Sequence, residues 1–378
     1  MNRGRFPYEE DLLKHYVRHE VWLPLCSSRL SKIRGNPGRP RKLKYFTFCA
    51  VGAVDVLMLD VAKILQPSRN GFNTVHFFDR TNELVTKTRK SIPGANGFPG
   101  DFISTVLMQD PVGEESVENL DPLAAPENLP DSSGTWNIQR RRGLRQSFIS
   151  AFPFDIINLD LEEFLFKPNE PVPGQVINAF RKLFEWQRKP LSGSSAYSLD
   201  GFSLMFTTQI GPPNISAEYL DMLTNQLATN IRSEELLDCF KKRTGLTDVI
   251  ALRDQDFECF FKLALPKVLA QCLMEEDWYI DPTRGIMILE IERQHGKGTY
   301  KMLHLVMEVN RKIPPRERRA PGEESQKAEV AYKEIVRQVF TNPETKVTKS
   351  LLDKRKLQKS LEHIKSRRKK YLASKMNA

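Results

Sequence analysis

The stretch YFTFCAVGAVD, Tyr45 to Asp55, decides how this chain is read. Its first seven residues are aromatic, β-branched or otherwise apolar with almost no interruption, the pattern of a strand buried on both faces of a parallel sheet. Gly52 ends that strand, and Val54 to Leu65 (VDVLMLDVAKIL) then carries apolar residues at helical spacing. PSRNG breaks the helix, and TVHFF, Thr74 to Phe78, predicts a second strand ending on Asp79. This is one β-α-β unit.

Outward from that unit the alternation continues. Asn82 to Lys90 reads as a helix, and the glycine-rich IPGANGFPGDF returns the chain to the sheet near Phe98 to Phe102. FDIINL, Phe154 to Leu159, is a strand closed by Asp160; Val172 to Gln187 is a helix, and Phe202 to Ile210 a further strand. Residues 109–139 interrupt the series with seven acids, four prolines and no basic residue, which predicts a surface loop insertion. That segment runs into Arg140, Arg141, Arg142 and Arg145, placed to face the loop or a polyanion. Ser216 to Asp277 is helical in pattern throughout. GIMILEIER and YKMLHLVMEV, joined by HGKG, predict a hairpin that closes the sheet.

The expected fold is therefore α/β, a doubly wound and mostly parallel sheet with a C-terminal antiparallel hairpin, a helical insertion and a helical tail. Its expected divisions are 1–44, an N-terminal helix (Glu9 to His19) and basic linker; 45–313, the α/β domain with its insertions at 109–139 and 216–277; and 314–378, a linker and tail.

Charge divides the chain differently. The net charge is +10, yet Thr341 to Ala378 carries 12 basic and three acidic residues, a local +9, and residues 1–45 carry +7. The remainder, 46–340, is mildly acidic. Hydrophobic residues make up 40% of the chain, enough for a packed core and too much for a disordered chain. The longest apolar stretch, Phe46 to Val54, falls far short of the roughly 20 residues a membrane span needs. The N-terminus lacks the apolar core of a secretory signal, so a cytoplasmic location is expected. Five scattered cysteines without a C-x-x-C pair read as free thiols, and His15 and His19, one helical turn apart, lack a third ligand, so no metal is expected.

The order of strand, glycine turn, helix, acid-ended strand, Gly-Asp pair, acid-ended strand and final hairpin resembles the class I S-adenosylmethionine-dependent methyltransferases, a Rossmann-like family. The resemblance covers residues 45–310 and rests on FCAVGAVD, HFFDR, FPGDF and FDIINLD. It implies S-adenosylmethionine as cofactor, held by Gly52 in the turn, Asp79 on the ribose hydroxyls and Asp101 on the adenine amino group. It also implies that Asn158 and Asp160 face the transferred methyl. Gly52 is the turn's only glycine, and the aromatic and proline of base-amino methyltransferases are replaced after Asp160 by Leu161, Glu162 and Glu163, so the acceptor atom stays open. An acid at a strand end also caps the following helix often, which is the structural alternative for Asp79 and Asp101. No G-x-G-x-x-G supports NAD, and no phosphate loop or G-x-S-x-G elbow occurs.

Two basic segments complete the reading. Gly38-Arg39-Pro40-Arg41-Lys42 looks like the GRP core of an AT-hook, with a solvated loop as its alternative. The tail concentrates Arg367, Arg368, Lys369 and Lys370 among other cations, which suits phosphates, while Leu351, Leu357, Leu361 and Ile364 permit a narrow docking stripe. The expected activity is S-adenosylmethionine-dependent methylation of nucleic acid. The alternatives are a non-catalytic nucleic-acid-binding or assembly subunit, for example of a bacterial modification or antiviral-defence system, and a protein or small-molecule methyltransferase.

Overall fold

A computed structural model describes residues 11–35, 42–107, 134–161, 175–189, 199–211, 215–295, 298–311 and 323–374. Arg39, Arg41 and nearly all of the acidic 109–139 stretch lie outside the described residues. No helix among the described residues is long and apolar enough to cross a membrane.

The N-terminal helical segment is α1 (Leu12–Tyr16), a six-residue π-helix (Val17–Trp22) and α2 (Leu23–Arg34) in direct succession. There follow β1 (Tyr45–Phe48), α3 (Val54–Val61), β2 (Val75–Asp79), α4 (Asn82–Ser91), β3 (Asn96–Pro99), α5 (Phe102–Leu107), α6 (Gly134–Ser150), β4 (Ile156–Asp160), α7 (Gln175–Trp186) and β5 (Gly201–Gln209). The helical insertion is α8 (Ala217–Asn230), α9 (Glu234–Thr244), α10 (Val249–Gln255) and α11 (Phe257–Glu275). Then come β6 (Trp278–Ile280), β7 (Ile286–His295), β8 (Gly298–Arg311), α12 (Glu323–Thr341), β9 (Thr345–Val347) and α13 (Lys354–Ser374).

Nine strands form one mixed sheet in the order β3-β2-β1-β4-β5-β8-β7-β9, with β6 paired to β8. The first five run parallel; β8 is antiparallel to both β5 and β7. Side chains alternate across the pleat, so β1 sends Tyr45 and Thr47 to one face and Phe46 and Phe48 to the other. The Phe46 face packs on α5 to α12, where Phe46 stacks within 5.4 Å of Phe154 and 5.1 Å of Phe148. The Tyr45 face packs on α1 to α4 and α13. Both faces are covered, the condition for a parallel sheet.

Local signals explain where helices begin. Thr81 caps α4 by accepting from Leu84 N at 3.2 Å, with Glu83 in its first turn and Arg89 and Lys90 in its last. Asp248 and Asp256 cap α10 and α11 in the same way.

Two expectations need correction. The basic linker expected before residue 45 is helical up to Arg34, and its Arg29 is buried, donating to Gly201 O and facing Asp155. The acidic loop expected up to residue 139 gives way to α6 from Gly134, and Arg145, expected to face that loop or a polyanion, is buried, with Nε donating to Val106 O and its guanidinium over the Trp186 ring. The docking stripe read in the tail is used: Leu357, Leu361 and Ile364 are buried against the Tyr45-face core, while Leu351 is exposed.

Candidate functional site

After β1 the chain builds outward to β2 and β3; after β4 it builds the other way to β5. The crevice at the carboxyl ends of β1 and β4 is thus the topological switch point, where open α/β sheets bind ligands.

The turn leaving β1 carries the backbone feature that its sequence hid. Its left-handed residue is Ala53 (φ 46°, ψ 38°), not Gly52, and its amide donates to Ala50 O at 2.8 Å. That conformation costs a side-chain-bearing residue roughly 1–2 kcal/mol. It is held from outside: Val51 O accepts from Ser91 Oγ at 2.9 Å and from Arg368 Nη2 at 3.4 Å. Gly52 is buried within it.

Asp79 ends β2 half-buried, and its Oδ1 accepts from Arg80 N at 2.7 Å. Burial raises its carboxyl, against the opposing pull of the Arg80 amide and charge and the Thr88 hydroxyl. Beside it, Gly100 donates its amide to Asp79 O at 2.9 Å and has φ +122°, with open space where a side chain would be. Asp101 is exposed and caps α5, accepting from Ser104 N at 2.6 Å while its carbonyl takes Thr105 Oγ1 at 2.8 Å. Of the two acids, Asp79 sits at the crevice and Asp101 is committed to a helix start.

Asn158 and Asp160 lie two residues apart on β4, so both point to the Tyr45 face. Asn158 is fully buried, and its Nδ2 donates to Tyr45 Oη at 2.9 Å. Tyr45 Oη and Thr47 Oγ1 each donate to Asp55 Oδ2 at 2.9 Å, so one carboxylate in the first turn of α3 gathers β1 and β4 together. Asn158 Oδ1 is left without a partner. Asp160 is closed by a residue the sequence reading passed over: Lys14 Nζ lies 2.8 Å from its Oδ2, and both side chains are buried. Burial alone would raise the Asp160 carboxyl, but Lys14 and Arg18 hold it below the usual carboxylate value. Its Oδ1 has no partner. Across the register, Asp160 lies opposite Thr207, and Thr207 opposite His304, whose Nδ1 is 2.9 Å from Thr207 Oγ1.

The basic residues divide. Arg367 grips Asp60 on α3 through Nε at 2.6 Å and Nη2 at 3.1 Å, with Tyr371 Oη on the same carboxylate at 2.8 Å. Arg368 donates to Ser91 Oγ at 3.0 Å. Both therefore brace the body. Lys42, Lys369 and Lys370 are exposed, as are Lys354, Arg355 and Lys359 on the same helix.

No family model matches this chain, and a search of curated proteins finds no relative.

The crevice combines a half-buried carboxylate at the end of β2, two unpartnered acceptor oxygens on β4, and Lys14 of the N-terminal helical segment on the second Asp160 oxygen. It can accept hydrogen bonds from hydroxyl or amino groups and can neutralise an anion. Lys14, Arg18 and Trp22 repeat at intervals of four among apolar neighbours, the one sequence signal that this segment faces the sheet.

Proposed function

We propose that the chain is an S-adenosylmethionine-dependent methyltransferase that acts on nucleic acid. The observation that carries the reading is the sheet order: β3-β2-β1-β4-β5 followed by a hairpin whose β8 runs antiparallel beside β5, the arrangement expected from the resemblance of residues 45–310. The residues at the switch point fit such a cofactor in part. Asp79, at the end of β2, would accept from ribose hydroxyls, and Gly100 leaves the backbone open beside it. Asp101, bound to the α5 amides, is not free for the adenine amino group without giving up its cap. When bound, S-adenosylmethionine supplies an electrophilic methyl group on a sulfonium centre. The residues of this chain then act by positioning: Asn158 Oδ1 and Asp160 Oδ1 are acceptors for an amino or hydroxyl hydrogen of the substrate, and the hydrogen-bonded set of Tyr45, Thr47 and Asp55 fixes the Asn158 amide.

Calorimetric titration with S-adenosylhomocysteine tests the cofactor. Heat is expected with the unmodified chain and is expected to disappear with Asp79→Ala; no binding at millimolar ligand sinks the reading. For the nucleic acid, the exposed cations of α13 supply the phosphate contacts. Replacing Lys354, Arg355, Lys369 and Lys370 with glutamine is expected to lower the slope of log K against log salt by about 3–4. Arg367→Gln should leave that slope alone and lower stability instead. A slope unchanged by the fourfold substitution removes the helix from the interface.

A second reading rests on the Lys14–Asp160 pair at 2.8 Å. A cation seated on the acid that would face the methyl group favours a non-catalytic, nucleic-acid-binding or assembly subunit. In that case the homocysteine titration is silent while the salt dependence remains.

A further inference from the structure

The crevice holds more buried cation than its carboxylates answer. Lys14 pairs with Asp160 at 2.8 Å, and Arg293 pairs with Asp11 at 2.7 Å. Arg18 is 7% exposed, and neither its Nε nor its Nη1 has a hydrogen-bond partner. The carboxylate its charge acts on, Asp160, is already paired with Lys14; a buried guanidinium without a hydrogen-bonded anion of its own is costly, so a chain that keeps one has either a structural use for its stem or a ligand for its head. Its surroundings point to the head. Its charge acts on Cys49 just past the end of β1, and on Asp160 and His304 at the ends of β4 and across β8. Arg18 is thus within electrostatic reach of the carboxyl ends of β1 and β4, and it lies in the same π-helix as Trp22, whose ring meets His304.

Two other unpartnered groups there are donors. Trp22 Nε1, four residues on, is buried and unbonded, and the Trp22 and His304 rings meet edge to face at 6.3 Å. His304 Nε2 is likewise unbonded, and when Thr207 donates to Nδ1 the ring proton sits on Nε2. Arg18 and Trp22 both fall in the π-helix Val17–Trp22, a distortion that recurs at functional sites because it turns side chains out of helical register.

We propose that Arg18, with Trp22 Nε1 and His304 Nε2 beside it, is an oxyanion-binding site. It takes a carboxylate or phosphate of a ligand entering the crevice through charge-assisted hydrogen bonds from the guanidinium. The two sources of the oxyanion are the amino-acid end of a cofactor and a phosphate of the substrate. The site itself does not depend on methyl transfer.

The experiment uses the full chain, unmodified and as Arg18→Gln. Thermal unfolding is followed with increasing sodium phosphate or sodium acetate, against sodium chloride at equal ionic strength. Phosphate or acetate is expected to raise the unfolding temperature of the unmodified chain beyond chloride, and Arg18→Gln to abolish the difference. Without ligand, Arg18→Gln is expected to be about as stable as the unmodified chain, since Arg18 makes no hydrogen bond through Nε or Nη1 and Lys14 still pairs with Asp160. Titration with S-adenosylhomocysteine and with 5′-methylthioadenosine, which lacks the carboxylate, separates the sources. A carboxylate source predicts that Arg18→Gln weakens the first by about tenfold or more and leaves the second unchanged; a phosphate source predicts that neither moves while the phosphate effect is lost. If neither nucleoside binds, the methyl-transfer reading falls and the anion comparison still decides the site. Equal responses to phosphate, acetate and chloride overturn the proposal, and so does an Arg18→Gln chain that is destabilised or does not fold.

Discussion

On acidification the protein should unfold cooperatively with a midpoint at about pH 4–5, well above the range in which carboxylates alone would drive it. The cause is three histidines buried as neutral rings. His15, His76 and His304 are each pushed from 6.5 down to about 3. Burial is the main cause in all three. Arg18 and His19 add to it at His15, and Lys44 at His76. At His304 the attraction of Asp160 is outweighed by burial together with Lys14, Arg293 and Arg18. A base whose pKa is lower in the folded state binds fewer protons there than in the unfolded chain. Its contribution to stability is therefore intact above pH 6.5 and is lost as pH falls toward 3. Each histidine forfeits about 1.4 kcal/mol per pH unit in that window, so three together forfeit about 4. For a total stability of about 6–10 kcal/mol, within the usual range for a folded domain, about one and a half to two and a half units below pH 6.5 suffice. Tryptophan fluorescence and circular dichroism across an acid titration would check this. His76 Nδ1 has no hydrogen-bond partner and its ring stacks on Phe98 at 6.2 Å, so His76→Leu should move the midpoint down. A midpoint below about pH 3 that His76→Leu does not move contradicts the account.

These rings also show which parts of the site were readable in advance. The strand at Tyr45 was legible because a strand buried on both faces writes a continuous apolar run, and the acids closing β2 and β4 were legible as positions. Their roles were not, because a role is set by what packs against the residue from elsewhere. Asp101 caps α5, a helix of six residues too short to show a period. Asp160 meets Lys14, and Arg367 meets Asp60, both contacts between distant parts of the sequence. The basic run over Arg29 to Arg34 reads as a linker when charge is counted alone, yet Leu30 and Ile33 lie at helical spacing within it and are buried. The three-residue strands β6 and β9 have no pattern long enough to recognise; they exist because β8 and β7 present open edges to them. The docking stripe Leu357, Leu361 and Ile364 could be read, but where it docks could not.

The edge strand β9 leads to the second large effect. Lys262 → Met should cost about 3–5 kcal/mol of stability, the range for removing one partner of a buried ionic cluster. Lys262 on α11 places Nζ 2.9 Å from Glu290 on β7, 2.8 Å from Glu344 just before β9, and 3.2 Å from Glu258 one turn earlier in its own helix. Glu344 also pairs with Arg243 on α9, and Lys301 on β8 reaches Glu258 at 2.8 Å and Glu290 at 3.8 Å. One ammonium thus joins the helical insertion to the far edge of the sheet. Its partners record the same arrangement. Burial alone would raise the Glu344 and Glu258 carboxyls, but the hydrogen bonds from Lys262, and from Lys301 at Glu258, hold both low. Without Lys262, Glu290 and Glu344 remain buried, with side chains 6% and 9% exposed, and Arg243 and Lys301 answer them only in part. The penalty comes from those stranded carboxylates more than from the lost attraction, which yields a discriminating second measurement. Adding Glu290→Gln to Lys262→Met should recover part of the loss, because it removes a charge that no longer has its partner, whereas Glu290→Gln alone should destabilise. Urea unfolding of the two single variants and the double variant closes the cycle. If the double variant is less stable than the unmodified chain by the sum of the two single losses, the two residues do not act as a pair, and the insertion is held on the sheet by its apolar face alone.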